Sequence, residues 1–294
     1  MAFSKSKKFY YYGDMMLYLT SLSPFAYFFT TRLKGVIHKI SWICIYFISI
    51  SILYIYFNPQ DSILHSLFVL LIVFCIIDMI YSNGYIQNDV ITTKKEINPT
   101  LRLDTLLLTK MRQNFISIMF GRTLIILILF WILYTIDYAH MLSFAFLMLT
   151  LQFLYIIYNS QRNIINLLLI PFLSFLRFFA MLLPIIYNDF YTLTALFTLY
   201  PLPKFLEFST QKRYKTAAFT SKVISNFDIF RVIYYVCYTI FCAILYTYGV
   251  LDCIFLMLSI YFLLFRLVCL VALQKSSLTS VIQHKRYENN PHKK

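Results

Sequence analysis

The chain has 294 residues, of which 60% are hydrophobic, 19% aromatic and only 13% charged, with a formal net charge of +14 and a mean hydropathy of +0.71. Soluble domains are nearer half apolar and about a quarter charged, and apolar runs here recur along almost the whole chain, which leaves no room for a separate soluble domain. The basic excess sits in short segments between those runs, where Lys and Arg set orientation and meet anionic lipid or phosphate groups, so no nucleic-acid partner is expected.

In chain order, residues 1–12 are polar and basic (Lys5, Lys7, Lys8), and the apolar stretch after them lacks a small-residue cleavage site, so no cleavable signal is expected. Residues 13–31 (GDMMLYLTSLSPFAYFFTT) are long enough to span, but spanning would put those three lysines outside. An amphipathic or re-entrant helix on the cytoplasmic face is preferred, with a ninth span as the alternative. Residues 1–40 therefore read as a cytoplasmic or interfacial segment. The apolar segments proper follow at 41–57, 63–84, 114–136, 141–158, 165–187, 192–203, 229–248 and 253–273. Lipid allows the backbone only a helix or a closed barrel, and continuous apolarity without strict alternation selects helices. The expected fold is an all-α integral membrane protein: a bundle of eight transmembrane helices within 41–273, or nine if 13–31 spans. Segment 192–203 is short and ends at Pro201 and Pro203, so its helix is expected to stop early or tilt. The polar tail 274–294 is expected to be disordered.

The connections alternate in charge. Those near 58–62, 137–140, 188–191 and 249–252 hold no Lys or Arg but carry Asp61, Asp137, Asp189 and Asp252. Segments 1–40, 88–113, 159–164, 204–224 and the tail hold nearly all the basic residues, which places both termini in the cytoplasm. The six cysteines form no CxxC and have no nearby His, so they read as reduced packing residues.

Two cytoplasmic segments have chemical character. In 83–104 (NGYIQNDVITTKKEINPTLRLD), Asn88, Thr92 and Glu96 recur every four residues if the second helix continues beyond the membrane. Asp89, Thr92 and Glu96, at i, i+3 and i+7, then share one face too. Two carboxylates beside oxygen side chains suit Mg²⁺, completed by substrate phosphate and water. Lys94, Lys95 and Arg102 are placed to hold phosphate. A solvated loop of mixed charge is the competing reading, on equal terms. In 201–222, Lys204 and Glu207 stand one turn apart, followed by Lys212, Arg213 and Lys215; alone, this is an ordinary positive-inside loop. Asp78, Arg122, Arg177, Arg231 and Arg266 lie within spans or at their ends, where ionisable groups default to the bundle interior or a polar cavity. Arg177, near the middle of 165–187, is expected to be functional or paired with a buried acid.

The run Asn88-Asp89-x-x-Thr92-x-x-x-Glu96 resembles the first aspartate-rich motif, NDxxDxxxD, of the UbiA superfamily of membrane prenyltransferases, and lies where that motif belongs, after the second span. The rest is most similar to the branch that makes polyprenyl-phosphoribose. Tyr155, Arg162, Asn166 and Arg177 have the layout of that branch's Tyr/Lys–Asp–Arg stretch, and Lys204 with Glu207 partly matches its KRxxE element. Arg231 and Tyr235 resemble its Arg-and-Tyr helix start, and Asn98-Pro99-Thr100 its HPxK segment. The likeness covers about 32–240. The chain departs at Thr92 and Asn166, where the family has Asp, and at Glu96; it lacks an Asp in 201–222, and one of the usual nine spans is missing after 273.

The resemblance implies a Mg²⁺-dependent transferase acting on a polyprenyl phosphate or diphosphate lipid, with pyrophosphate release. Transfer would be either phosphoribosyl to polyprenyl phosphate or prenyl to an acceptor. It implies Asp89 and Glu96 as metal ligands and Arg177 as a catalytic residue. Asn88, Thr92, Arg102, Arg162, Asn166, Lys204, Glu207 and Arg231 would bind substrate. A bacterial inner membrane suits it, although composition alone allows an organelle membrane. A non-catalytic homologue is the reading favoured by the departures. A transporter is the other rival, but the chain has only five Gly, and its polar segments gather on one membrane face.

Overall fold

The computed structural model describes residues 15–33, 35–95, 101–136, 138–161, 163–186, 189–211 and 214–275. These are helical almost throughout, with no β-strand among the described residues. Among the described residues, six helices are long and apolar enough to cross a membrane: Val36–Phe57, Ile63–Lys94, Phe115–Thr135, Met141–Ser160, Phe227–Thr247 and Cys253–Ala272. Their outer faces are strongly apolar; along Met141–Ser160, for example, Leu142, Phe146, Leu149 and Phe153 form an exposed stripe at helical spacing. Such stripes are costly in water and at home in hydrocarbon.

The chain forms two compact units. Unit 1 comprises residues 1–162 and 176–185. Its helices are α1 (15–22), α2 (Ala26–Thr31), α3 (Val36–Phe57, with a π-helical stretch at Ile43–Ile48), α4 (Ile63–Val90), α5 (Thr105–Gln113), α6 (Phe115–Thr135) and α7 (Met141–Ser160). The hub is α4, against which α2, α3, α5, α6 and α7 all pack. Ser62 starts α4 by accepting from His65 N, and Asp104 starts α5 by accepting from Leu107 N. Between α1 and α2 the chain turns at Phe25, whose φ of 62° is left-handed. Two contacts hold that turn: Phe25 N donates to Asp78 Oδ2 at 2.7 Å, and the Phe25 ring packs edge-on against Trp42.

Arg122 of α6 is fully buried. It donates to Asn83 Oδ1, Ser21 O, Met79 O and Ser82 Oγ, so neutral oxygens satisfy it and tie α1 and α6 to α4. Beside α4, α6 and α7 an apolar groove of about 510 Å³ is lined by Leu127, Phe130, Trp131, Met148 and Leu149 among others.

Unit 2 comprises residues 163–175 and 186–294. Helix α8 (Ile164–Phe179) crosses the boundary between the units, and α9 (Leu183–Ile186) follows it. Then come α10 (Phe190–Leu199), α11 (Pro201–Ser209), α12 (Ala217–Val223), α13 (Phe227–Thr247) and α14 (Cys253–Lys275), with α13 and α14 the most closely packed pair. Asp189 caps α10 and Asn226 caps α13.

Four of the eight expected spans match long helices closely, and two others extend beyond their expected limits, to Val36 and to Lys94. The remaining two are shorter than expected. The segment 165–187 ends its first helix at Phe179 and passes through a turn at 180–182 into α9, and 192–203 ends at Leu199 ahead of Pro201 and Pro203, the early stop expected there. Residues 15–31 form two short helices with a break at 23–25.

Candidate functional site

Tyr81, Tyr85 and Asp89 follow one another at four-residue intervals and so line one face of the last turns of α4. Asp89 is 3% exposed. Its Oδ2 accepts from the Tyr27 hydroxyl at 2.7 Å, and Arg32 Nη2 lies 3.0 Å from Oδ2 and 3.1 Å from Oδ1. Oδ1 also accepts from Arg102 Nη1 at 3.3 Å and from Asn88 Nδ2 at 3.2 Å. Burial first, and the Asp89 carboxylate second, push the Tyr27 hydroxyl far above its ordinary pKa, so it stays a neutral donor. Burial works against the Arg32 charge, but Asp89 together with Tyr85 and Tyr27 outweighs it and holds the guanidinium pKa above its ordinary value. Beneath Asp89, its carbonyl accepts from Thr93 Oγ1 at 2.6 Å, and Arg112 donates to Thr93 Oγ1 and to Val90 O.

Tyr85 connects this carboxylate to the second part of the site. The Arg32 guanidinium carbon lies 4.2 Å from the centroid of the Tyr85 ring, and Arg177 Nη1 donates to the Tyr85 hydroxyl at 3.3 Å. Arg177, 7% exposed, is otherwise surrounded by rings, with its guanidinium carbon 4.1 Å from the centroid of Tyr81 and 4.3 Å from that of Phe28. Its backbone carbonyl accepts from the Tyr46 hydroxyl at 2.8 Å. Tyr155 closes the aromatic wall edge-on to Tyr81 and Tyr85. No carboxylate is in hydrogen-bond contact with Arg177 among the described residues, but the buried Asp78 carboxylate interacts with its charge, so the acid expected near it is there without a direct contact.

In unit 2, Arg231 Nη2 donates to Glu207 Oε2 at 2.8 Å while its Nε holds Oε1, and Arg231 Nη1 meets Asp228 at 3.0 Å. Lys204 Nζ is 4.0 Å from the same Glu207. These side chains, with Tyr200, Pro203, Tyr235 and Arg266, line a cavity of about 40 Å³. Burial opposes the Glu207 charge, but the fork from Arg231 overcomes it and holds the carboxyl below its ordinary pKa. Asn166 is fully buried in this unit.

Of the residues singled out by sequence, Asn88, Asp89 and Arg102 therefore meet directly, Arg177 joins them through Tyr85 and Arg32, and Lys204, Glu207 and Arg231 form a cluster of their own. Thr92 sits in a 3₁₀ turn (Thr92–Lys95) after α4 has ended. The four-residue periodicity therefore does not carry it onto the helix face, and it makes no hydrogen bond among the described residues. Glu96, Arg162, Lys212, Arg213, Asp137 and Asn98-Pro99-Thr100 lie outside the described residues, as do residues 1–12 and the tail beyond 275. Sequence reasoning missed Tyr27, Phe28 and Arg32, which come from the N-terminal segment, and the Tyr81–Tyr85–Asp89 face, whose spacing was legible.

Mg²⁺ requires oxygen ligands free to face it. Both oxygens of Asp89 are taken by Tyr27, Arg32, Arg102 and Asn88, and two of these partners are cations that would repel a metal ion. No group of three His, Cys, Asp or Glu is gathered for a metal among the described residues. The described donor set therefore does not fit Mg²⁺. In comparisons with protein-family models, curated proteins and solved structures, the chain matches none.

Proposed function

We propose that the chain is a membrane-embedded transferase acting on a polyprenyl phosphate or diphosphate lipid, most simply by phosphoribosyl transfer to polyprenyl phosphate. The observation that carries this reading is Arg177: a buried guanidinium set in aromatic rings, with no carboxylate in hydrogen-bond contact among the described residues, beside a second arginine on Tyr85. A buried charge of this kind is costly inside a membrane protein unless it is paired or serves a ligand; Asp78 offsets part of it without touching it, and a lipid phosphate is the anion a membrane delivers. The apolar groove of unit 1 offers room for a hydrocarbon tail. In the reaction, a lipid phosphate oxygen forms a bond to the anomeric carbon of phosphoribosyl diphosphate as the bond to pyrophosphate breaks, and the electron pair leaves with pyrophosphate. Arginines would stabilise the charge on the phosphates during that exchange. Lys204, Arg231, Arg162 and Asn166 enter this proposal as further substrate-binding residues by resemblance. Mg²⁺ enters only as the companion of the soluble diphosphate donor. The short helices Ile164–Phe179 and Phe190–Leu199 are proposed to complete eight spans, with residues 15–31 at the interface and both termini cytoplasmic.

The test is pyrophosphate release by purified protein in lipid nanodiscs supplied with Mg²⁺. One set pairs polyprenyl phosphate with phosphoribosyl diphosphate, and the other pairs prenyl diphosphate with aromatic acids. Release is expected with the first set, falling about 100-fold or more in Arg177→Gln and strongly in Asp89→Asn. Silence with both sets from folded protein would overturn the proposal and favour the second reading, a non-catalytic homologue. The engagement of Asp89 by two arginines favours that reading.

A further inference from the structure

Arg266 stands in α14, a helix long and apolar enough to cross a membrane, where an ionisable side chain calls for a partner or a polar cavity. It lines the unit 2 cavity with Lys204, Glu207 and Arg231. Its Nε is buried without a hydrogen-bond partner among the described residues, and its guanidinium carbon lies 5.6 Å from the centroid of the Phe265 ring. The carboxylates nearby are already engaged. Arg231 holds both oxygens of Glu207 and meets Asp228 at 3.0 Å, and Lys204 Nζ lies 4.0 Å from Glu207. Glu207 acts on Arg266 through its charge alone, without a hydrogen bond. The Tyr235 hydroxyl, also on the cavity wall, donates its proton to Leu199 O. Among the described residues, Lys204, Arg231 and Arg266 thus stand against the carboxylates of Glu207 and Asp228, which leaves one positive charge uncompensated.

Size and charge select the ligand. One water needs roughly 10–15 Å³ of such space, so a cavity of about 40 Å³ holds a small ion with a water or two and excludes a sugar or a lipid headgroup. One uncompensated positive charge calls for one negative charge. A single buried N–H beside a flexible ammonium suits a monatomic acceptor, which takes hydrogen bonds from any direction. A carboxylate is served better by a planar fork, and the fork here, that of Arg231, is already given to Glu207. We propose that this cavity binds a chloride ion, held by Arg266 Nε and Lys204 Nζ, and that the ion links α14 to α11. Like any ligand of the folded state, it stabilises the fold. The site is independent of the transferase reading, in which Arg266 has no role.

Thermal unfolding of the full chain in neutral phosphatidylcholine nanodiscs tests the site, at constant ionic strength with chloride, bromide or gluconate as the added anion. Gluconate is too large to enter. Replacing about 200 mM gluconate by chloride is expected to raise the melting temperature by about 3 °C or more, for a dissociation constant roughly tenfold below that concentration. Bromide is expected to act as chloride does, and Arg266→Gln to melt at the same temperature in all three salts. Equal melting temperatures of the unaltered chain in chloride and gluconate would mean that water alone fills the cavity, and would overturn the site. A chloride effect that survives in Arg266→Gln places the ion elsewhere and overturns it too. Where that variant fails to fold, anomalous diffraction from crystals of the unaltered chain grown in bromide decides. A bromide peak within hydrogen-bond distance of Arg266 Nε supports the site, and its absence refutes it. Neither measurement reads pyrophosphate release, so failure of the site and failure of the transferase reading are told apart.

Discussion

Gly84 and Tyr155 meet so closely that a β-carbon on Gly84 would lie only 2.0 Å from the tyrosine ring. The absence of a side chain lets α7 approach α4, and the approach is sealed by Asn159 Nδ2 donating to Gly84 O at 2.8 Å. It also sets Tyr155 edge-on to Tyr81 and Tyr85, with ring centroids 4.9 and 5.8 Å apart, and those two tyrosines contact Arg177. Gly84→Ala is therefore expected to push the helices apart, at a cost of about 1–3 kcal/mol, and to weaken phosphate binding through the displaced rings. Thermal unfolding in nanodiscs and titration with farnesyl monophosphate measure the two effects, and an unchanged melting temperature would refute the close approach. The two buried arginines of unit 1 show the same scale at work. Arg122 is surrounded by neutral oxygens that satisfy it, and so fastens helices together. Arg177 has mostly ring faces around it, and the buried Asp78 carboxylate interacts with its charge without touching it.

At the scale of elements, unit 2 shows how a broken helix is repaired. Ending α10 at Leu199 leaves its last carbonyls without helical donors, and Pro203 has no N–H to give to Leu199 O. Two tyrosines of α13 replace them, Tyr235 donating to Leu199 O at 2.9 Å and Tyr234 to Thr198 O, while Tyr238 adds a bond to Ala195 O, one turn earlier, at 2.8 Å. The Glu207–Arg231 fork then fastens α11 to α13. Because Glu207 is held below its ordinary pKa, the folded chain binds its proton less readily than the unfolded chain does. Its stabilisation is complete above about pH 4.3, the ordinary glutamate value, and is lost as pH falls through the depressed folded value. The melting temperature is expected to drop over that acid range. Glu207→Gln is expected to be less stable at neutral pH, by about 3 kcal/mol, and to show a smaller acid-induced drop; equal pH profiles for the two proteins would refute the pair's role. The long helices were legible in the sequence because unbroken apolarity in lipid leaves little alternative to a helix. The stop at Leu199 was legible from Pro201 and Pro203, whereas the stop at Phe179 was not, since hydropathy continues across it. Asp89 and Arg177 were legible as polar groups in apolar surroundings. Arg32 was not, because its pairing with Asp89 joins residues 57 positions apart and no local spacing announces it.

For the molecule as a whole, the question is how many of its helices cross the membrane, and the two short ones decide it. At about 1.5 Å per residue, the 16 residues of α8 extend roughly 24 Å and the 10 of α10 roughly 15 Å, against a hydrocarbon core of about 30 Å. Neither crosses unaided in ideal geometry, yet the charge pattern places the acid-bearing, Lys- and Arg-free connection at 188–191 opposite the basic segments. If α9 continues the path of α8, and α11 that of α10, both crossings are completed by a broken helix buried within protein, an arrangement lipid permits when the freed backbone groups are satisfied. The α13 tyrosines supply such satisfaction at α10. Single cysteines in a cysteine-free background, probed with a membrane-impermeant maleimide on intact cells, separate the cases. Gln60→Cys and Tyr248→Cys are expected to react from outside, and Gln113→Cys and Lys222→Cys only after permeabilisation. Phe190→Cys is the deciding position, because it is strongly exposed and begins α10, just after the connection from α8 and α9. Labelling from outside establishes eight crossings. Labelling only after permeabilisation leaves six, and turns α8 to α11 into a cytoplasmic-side cap in which the Lys204, Glu207 and Arg231 cavity faces water instead of lipid headgroups.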